Sequence, residues 1–338
     1  MKEKQINIME VCGTHTNAIA AYGIKNLLAE NVNLISGPGC PVCVSADEDI
    51  ETVIKLAQQP GVIICTFADM LRVPSPVGSL EEAKAQGKAE VKIIYSPLDA
   101  VKTAKENPQK KVILIATGFE TTAPLAAVCV KEAAKLKLNN FFVFPILKLI
   151  TPAIDALLSE ENKIDAFLLP GNVSIVLGLK PYEFIASKYK KPGVIGGFEQ
   201  EDILKAIDRI LELIKSGENK IENAYPVVKK EGNPQALQIL YSVFEPYAAP
   251  WRGLGKIENS GLRLKKEFEN FDALKYFKIT PPQAAVKKNP CRCADVLKGK
   301  IKPQQCKMFG KKCGPLTPLG PCMVSTEGAC QAAYKYEK

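Results

Sequence analysis

From about residue 32 to residue 215, short apolar runs alternate with longer amphipathic ones, and few folds accept that order. Strands are expected at 31–36 (NVNLIS), 61–67 (GVIICTF), 91–96 (VKIIYS), 111–117 (KVILIAT), 141–146 (FFVFPI), 164–170 (IDAFLLP) and 193–197 (GVIGG). The stretches between them read as helices. In EDILKAIDRILELIK, for example, Ile203, Ile207, Ile210, Leu211 and Ile214 recur at three and four residues and define one apolar face. Strands that are apolar throughout and separated by helices indicate parallel sheets covered on both sides. The expected class is α/β: seven strands in one sheet or, equally naturally, two parallel-sheet lobes around a central cleft, the organisation expected here, followed by a C-terminal cysteine-rich module. The expected segments are an N-terminal stretch 1–30, a first lobe 31–110, a second lobe 111–225, and a linker with the cysteine-rich domain over 226–338. In the linker, repeated Pro and Gly end the alternation, and Trp251 is expected to anchor the segment onto a lobe.

With 338 residues and 46% hydrophobic content, the chain is long enough to bury a sizeable core. No window of 18 apolar residues occurs, so no membrane span is expected. The opening MKEKQINIMEVCGTH lacks the apolar core of a signal peptide, which points to the cytoplasm. In that reducing compartment, eleven cysteines read as metal ligands or redox thiols rather than structural disulfides. The net charge of +9 is concentrated at one end: residues 287–338 hold eleven Lys or Arg against three acids. Such a field suits nucleic acid, an acidic partner, or compensation of an anionic thiolate cluster.

Six cysteines fall between 291 and 330: Cys291, Cys293, Cys306, Cys313, Cys322 and Cys330. Their surroundings are rich in Gly, Pro and Lys and poor in large apolar residues, so metal coordination is the expected source of order there. Four thiolates suit tetrahedral zinc or a [4Fe-4S] cube. The short C-x2-C brackets of zinc ribbons are absent, which favours iron-sulfur. Spacing by itself does not select four ligands from the six, and the two left over can form a dithiol beside the cluster.

Three further stretches carry chemistry. In GPGCPVCVSADE, Cys40 and Cys43 follow a strand and precede a helix, where Ser45 and Glu48 suggest a capping box. Open α/β sheets place their sites at that edge, and a nearby helix start favours thiolate character. A C-x-x-C pair there can form a reversible disulfide or supply soft ligands. In VCGTH, Cys12 stands three residues before His15, the only histidine in the chain. The imidazole is suited to holding the thiol ionised, accepting a proton or binding an anionic ligand. In ATGFETTAP, Glu120, Thr121 and Thr122 follow another strand, as a proton relay and hydroxyl donors or as a plain helix cap. Cys65, inside a strand, and Cys129, on an Ala-rich helix, read as packed core thiols. The G-x-G-x-x-G and Walker A signatures are absent.

VCGTH at 11–15, GPGCPVC at 37–43, GFETTAP at 118–124 and the cysteine-rich run 291–330 together resemble the signatures of the HypD family of hydrogenase maturation factors. The similarity spans essentially the whole chain. The family's iron-sulfur signature, C-x14-C-x6-C-x16-C, falls on Cys291, Cys306, Cys313 and Cys330. The resemblance thus implies that these four hold a [4Fe-4S] cluster in a C-terminal iron-sulfur module, with Cys293 and Cys322 as an accessory dithiol. It implies a scaffold on which iron acquires cyanide and carbon monoxide, a transient Fe(CN)2CO moiety destined for nickel-iron hydrogenase. The implied partners are a small HypC-type chaperone and a HypE-type cyanide donor, itself supplied by HypF, with the hydrogenase large subunit reached indirectly. Membrane and nucleic acid are not implied. By the same resemblance Cys12 binds the iron, His15 supports it, and Cys40 with Cys43 is a redox pair facing it. Where the family is expected to read PGHVS, this chain has PGNVS, and Asn172 cannot shuttle a proton near neutral pH.

Two other classes fit parts of the pattern. A general thiol-disulfide oxidoreductase fed by the cluster needs Cys40 and Cys43 but not Cys12. A zinc-supported nucleic-acid-binding module uses the basic tail, yet that tail lacks interleaved aromatic and basic residues.

Overall fold

The computed structural model describes residues 4–282 and 290–337. The chain divides into two compact units, each discontinuous in sequence. Described residues 4–43, 150–234 and 290–337 form the first, and 44–149 with 235–282 form the second.

The first unit is built on a parallel sheet of five strands: β1 (Ile6–Glu10), β2 (Val32–Ser36), β7 (Ala166–Pro170), β8 (Gly193–Gly196) and β9 (Ile221–Asn223), in the order β2-β1-β7-β8-β9. Ile8, Leu34, Ala166, Leu168 and Val194 supply its apolar face. The helix Gln200–Ser216 covers it with Ile203, Ile207 and Ile210, as the three-four periodicity predicts. From β1 the chain moves outward to β2, while β7 pairs with the opposite side of β1: Glu10 stands level with Ser36 on one neighbour and Leu168 on the other. The sheet therefore changes direction at β1, and the loop leaving its C-terminal end opens where such sheets bind ligands. That loop is Val11–Cys12.

The second unit carries a parallel sheet of four strands: β3 (Val62–Thr66), β4 (Glu90–Ile93), β5 (Lys111–Gly118) and β6 (Phe141–Leu147), ordered β4-β3-β5-β6. β3 and β5 are buried along almost their whole length, which accounts for their continuous apolar sequence. Cys65 and Cys129 lie in this core, as expected, and burial pushes their thiols to about 11 and about 12. The sheets are thus two parallel α/β assemblies. The sequence from about 226 also forms an antiparallel hairpin of β10 (Phe244–Trp251) and β11 (Gly255–Leu264). Trp251 anchors it: the indole is 2% exposed, its Nε1 donates to Ser260 Oγ at 2.8 Å, and its ring lies 6.1 Å from Phe119. Among the described residues, no helix is long and apolar enough to cross a membrane.

One buried ion pair of this unit depends on Lys148, which follows β6 directly. Its ammonium is 1% exposed, donates to Pro250 O at 2.7 Å and stands 3.4 Å from Asp49 Oδ2. Removing one member of such a pair leaves the other charge buried and uncompensated. Lys148→Ala is expected to lower the unfolding free energy by about 3 kcal/mol, read from guanidinium unfolding; a loss within error of zero would contradict the role given to this pair.

Candidate functional site

The site in the first unit begins at the turn between β1 and helix α1 (Gly13–Ala21). Cys12 is the N-cap of α1, with extended backbone at φ −145°, and is 7% exposed. The second cysteine segment leaves β2, the parallel neighbour of β1, at the same edge. Gly37 N–H donates to Glu10 O at 2.7 Å and Gly13 N–H donates to Gly39 O at 3.0 Å, so the two turns are bonded to each other. A Cβ on Gly39 would fall on the Val11–Cys12 backbone; only glycine permits this approach. Cys40 and Cys43 follow immediately, both buried and joined by a disulfide, with Cys43 N–H donating to Cys40 Sγ at 3.1 Å. Short helix α2 (Pro41–Val44) carries Cys43, and helix α3 (Asp47–Ala57) follows. The expected Ser45–Glu48 box does not form. The N-cap of α3 is Ala46, whose N–H is taken by Asp49 Oδ2, while Ser45 O accepts from Arg252 Nε.

Burial sets the electrostatics around Cys12. Desolvation pushes its thiol up to about 12; the backbone amides of His15 and Thr14 act against this, while the charges of Glu10 and Glu327 add to it. The helix start does not outweigh the loss of water, so without a cation this sulfur is a neutral thiol. Beneath it lies Glu10, a residue that sequence patterning passed over. Its carboxylate is 1% exposed, accepts Cys12 N–H at 3.0 Å and also accepts the Thr16 hydroxyl. Desolvation raises it to about 7 despite those bonds. The available signal was an acid closing the apolar run INIME just before a cysteine.

His15 is fully buried and faces another strand end. Its Nε2 lies 2.8 Å from Gly197 O, just past β8, and its ring packs on Phe198 at 4.7 Å. A carbonyl can only accept, so Nε2 bears the hydrogen and Nδ1 offers a lone pair; Nδ1 is buried with no hydrogen-bond partner among the described residues. Desolvation lowers this imidazole to about 4, with the Gly197 and Gly196 carbonyls opposing. It is therefore neutral at pH 7 and brings no positive charge to the Cys12 thiol.

The cysteine-rich segment packs on α1 within the same unit. Thr14 Oγ1 donates to Glu327 Oε1 at 3.0 Å, and Asn17 Nδ2 donates to Thr326 O at 2.9 Å. Burial raises the Cys330 thiol first, and the charges of Cys293, Cys291, Cys313 and Cys306 raise it further. Cys313 is raised by burial, then by Cys291 and Cys306, while the Leu319 amide, 3.4 Å from its sulfur, opposes. A Cβ on Gly320 would land on Cys291 Sγ, with Cys293 Sγ close behind. Cys322 is buried in a short 3-10 turn, Pro321–Met323. Cys291, Cys293, Cys306 and Cys313 all act on Cys330 by their charge, so five of the six C-terminal cysteines, soft donors of the kind a [4Fe-4S] group takes, lie near one another and proximity alone does not single out four. Among the described residues, no three of His, Cys, Asp or Glu stand at the spacing of a metal site.

In the second unit, Glu120 is buried, Thr121 is exposed and Thr122 is half-buried, all following β5. Thr122 is the N-cap of the helix Ala123–Lys135, but its hydroxyl makes no capping bond. After burial itself, the charge of Glu120 raises Tyr241. Asn172 is exposed near the start of the helix Gly171–Leu177, just beyond β7.

A family model described as HypD, Hydrogenase formation hypA family, matches residues 1–337. The chain belongs to this family. It is 45% identical to the hydrogenase maturation factor HypD of Escherichia coli (strain K12), across 99% of this chain and 90% of that protein. Identity to the hydrogenase maturation factor HypD of Rhodobacter capsulatus is 43%, over 99% and 90%. For the hydrogenase expression/formation protein HupD of Azotobacter chroococcum mcd 1 it is 42%, over 98% and 90%. Family membership places the chain in hydrogenase maturation, and three of the four motifs that carry the resemblance, at 11–15, 37–43 and 118–124, lie at the C-terminal ends of the parallel strands β1, β2 and β5.

The only histidine makes the electrostatic description easy to check. With a folded value near 4 against an ordinary 6.5, His15 contributes stability that is complete above pH 6.5 and is lost as pH falls through 4. The imidazole signals in an NMR titration are expected to hold the neutral Nε2–H position down to about pH 5. A midpoint near 6.5 in the folded protein would contradict the burial.

Proposed function

We propose that this protein is the scaffold on which the Fe(CN)2CO group of nickel-iron hydrogenase is assembled, with the incoming iron held by Cys12 and a small HypC-type chaperone. The observation that carries the reading is the bonded pair of turns at β1 and β2, which presents a buried thiol beside a C-x-x-C disulfide at the switch point of a parallel sheet. Iron is cargo here. A desolvated thiol raised to about 12 is a poor anion on its own, and a metal cation arriving in the same low-dielectric turn offsets the cost of ionising it. Iron binding therefore releases the Cys12 proton. Thiolate is also the softest donor this sequence offers to iron bearing strong-field diatomic ligands. His15, neutral with Nδ1 as a lone-pair acceptor, supports the turn without adding charge.

Cyanide is taken to arrive as a thiocyanate on a HypE-type donor. Releasing it as cyanide cleaves the S–CN bond and takes up two electrons and one proton, leaving a thiol on the donor. Oxidation of the Cys40 and Cys43 dithiol to the disulfide supplies two electrons and two protons, so the two half-reactions balance with one proton released. Cys291, Cys306, Cys313 and Cys330 are assigned to a [4Fe-4S] cluster, which when bound supplies single electrons. Cys293 and Cys322 are the accessory thiols of that segment. Glu120, Thr121 and Thr122 are assigned proton-relay and hydrogen-bond-donor roles, and the exposed Asn172 none that moves a proton.

Anaerobic co-purification with the small chaperone, followed by infrared spectroscopy, tests the reading. Metal-bound cyanide and carbonyl bands are expected from the wild type, and a loss of at least tenfold in Cys12→Ala. Equal bands from both proteins would remove Cys12 from its role.

A further inference from the structure

The residues that follow Cys43 in sequence, Val44, Ser45 and Asp47 of the second unit, are held by a residue that no motif singled out. Arg252 follows Trp251 at the end of β10 and is 9% exposed. Its backbone N–H donates to Val44 O at 2.9 Å, its Nε donates to Ser45 O at 2.8 Å, and its Nη1 meets Asp47 Oδ1 at 2.7 Å. These three contacts fall on Val44 and Ser45, which follow Cys43 directly, and on Asp47, the first residue of α3. The support behind Arg252 is itself rigid. Trp251 is bonded to Ser260 Oγ, Ser260 Oγ donates to Ile257 O at 2.7 Å, and Pro250 O is held by Lys148. A buried guanidinium paired with a carboxylate adds little net stability over an apolar replacement, so its specific value is in where it holds the chain. Its planar fork serves two acceptors at fixed geometry, which a lysine ammonium does not reproduce.

We propose that Arg252 is the positioning residue of the Cys40–Cys43 couple, fixing the chain after Cys43 so that the pair favours the disulfide. The inference rests on reading Cys40 and Cys43 as a reversible redox pair. Its physical basis is entropic: a held flank removes freedom mainly from the open dithiol, because the disulfide is already closed. Freeing residues 44–47 therefore favours the reduced form.

The test equilibrates the full-length protein anaerobically with mixtures of reduced and oxidised dithiothreitol. Each disulfide reduced takes two electrons and two protons from one dithiothreitol, which closes to its cyclic disulfide. Thiols are then trapped with a maleimide, and the Cys40–Cys43 peptide is quantified by mass spectrometry. Arg252→Gln is expected to shift the equilibrium about tenfold toward the dithiol, or about 30 mV. Arg252→Lys is expected to move nearly as far, and Asp47→Asn part of the way. Should Arg252→Gln fail to fold, the other two variants carry the test, each accompanied by a thermal melt. A lowered melting temperature with an unchanged equilibrium would make Arg252 merely structural and overturn the proposal. A wild-type value in Arg252→Lys beside a shift in Arg252→Gln would point to charge rather than placement and overturn it equally. If the wild-type pair does not titrate at all, the redox reading of Cys40 and Cys43 falls as well; if it titrates identically in every variant, only the role of Arg252 falls.

Discussion

Two backbones meet where side chains usually keep strands' loops apart. Gly39 lies against the Val11–Cys12 peptide with no room for a Cβ, and the turns after β1 and β2 are bonded through Gly13 and Gly39. Everything assigned to the site follows from that contact. It sets the Cys12 turn beside the C-x-x-C turn and leaves Cys12 at the head of α1. The position at the switch point then follows from strand order, because β1 is the strand on either side of which the chain departs.

The chemistry of the turn is governed by dehydration more than by helix polarity. Cys12 is driven to its neutral form and the imidazole is held neutral, while Glu10, raised to about 7, is about half ionised near pH 7 and is the one group of the turn that carries charge there. A site in that state is poised for a cation, since each group it ionises lies in a medium where opposite charges interact strongly. It is a poor site for an anion arriving alone. Burial and mutual repulsion likewise raise the Cys313 and Cys330 thiols, which favours their neutral forms.

Much of the sheet architecture was legible. Burial on both faces writes parallel strands as unbroken apolar runs, so the seven expected strands lie within a few residues of those observed. β1 was not legible, because INIME is short and its partner β7 lies far along the chain, with Ile8 level with Ala166. The hairpin β10–β11 was hidden by Pro246 and Pro250, which interrupt alternation without preventing pairing. At the site, the cysteine motifs were evident from residue type. The reactive state of Cys12 was not, since its thiol responds to burial that only the tertiary fold creates. Glu10 and Arg252 escaped for the same reason: an acid at a strand end and an arginine in a Pro-Gly turn look solvated until the elements that cover them are in place. The cap of α3 shifted to Ala46, where Asp49 accepts the Ala46 N–H and Arg252 donates to the Ser45 carbonyl of the same peptide.

The central claim is that one glycine contact makes a single site of two turns, and the alkylation rate of Cys12 in Gly39→Ala tests it most directly. In the wild type, iodoacetamide at pH 8 is expected to modify this raised, buried thiol far more slowly than a free cysteine. An alanine at 39 must push the Cys12 backbone away and open the turn, so labelling should accelerate at least tenfold in protein that remains folded. An unchanged slow rate in a folded Gly39→Ala protein would mean that the contact does not hold Cys12 in place.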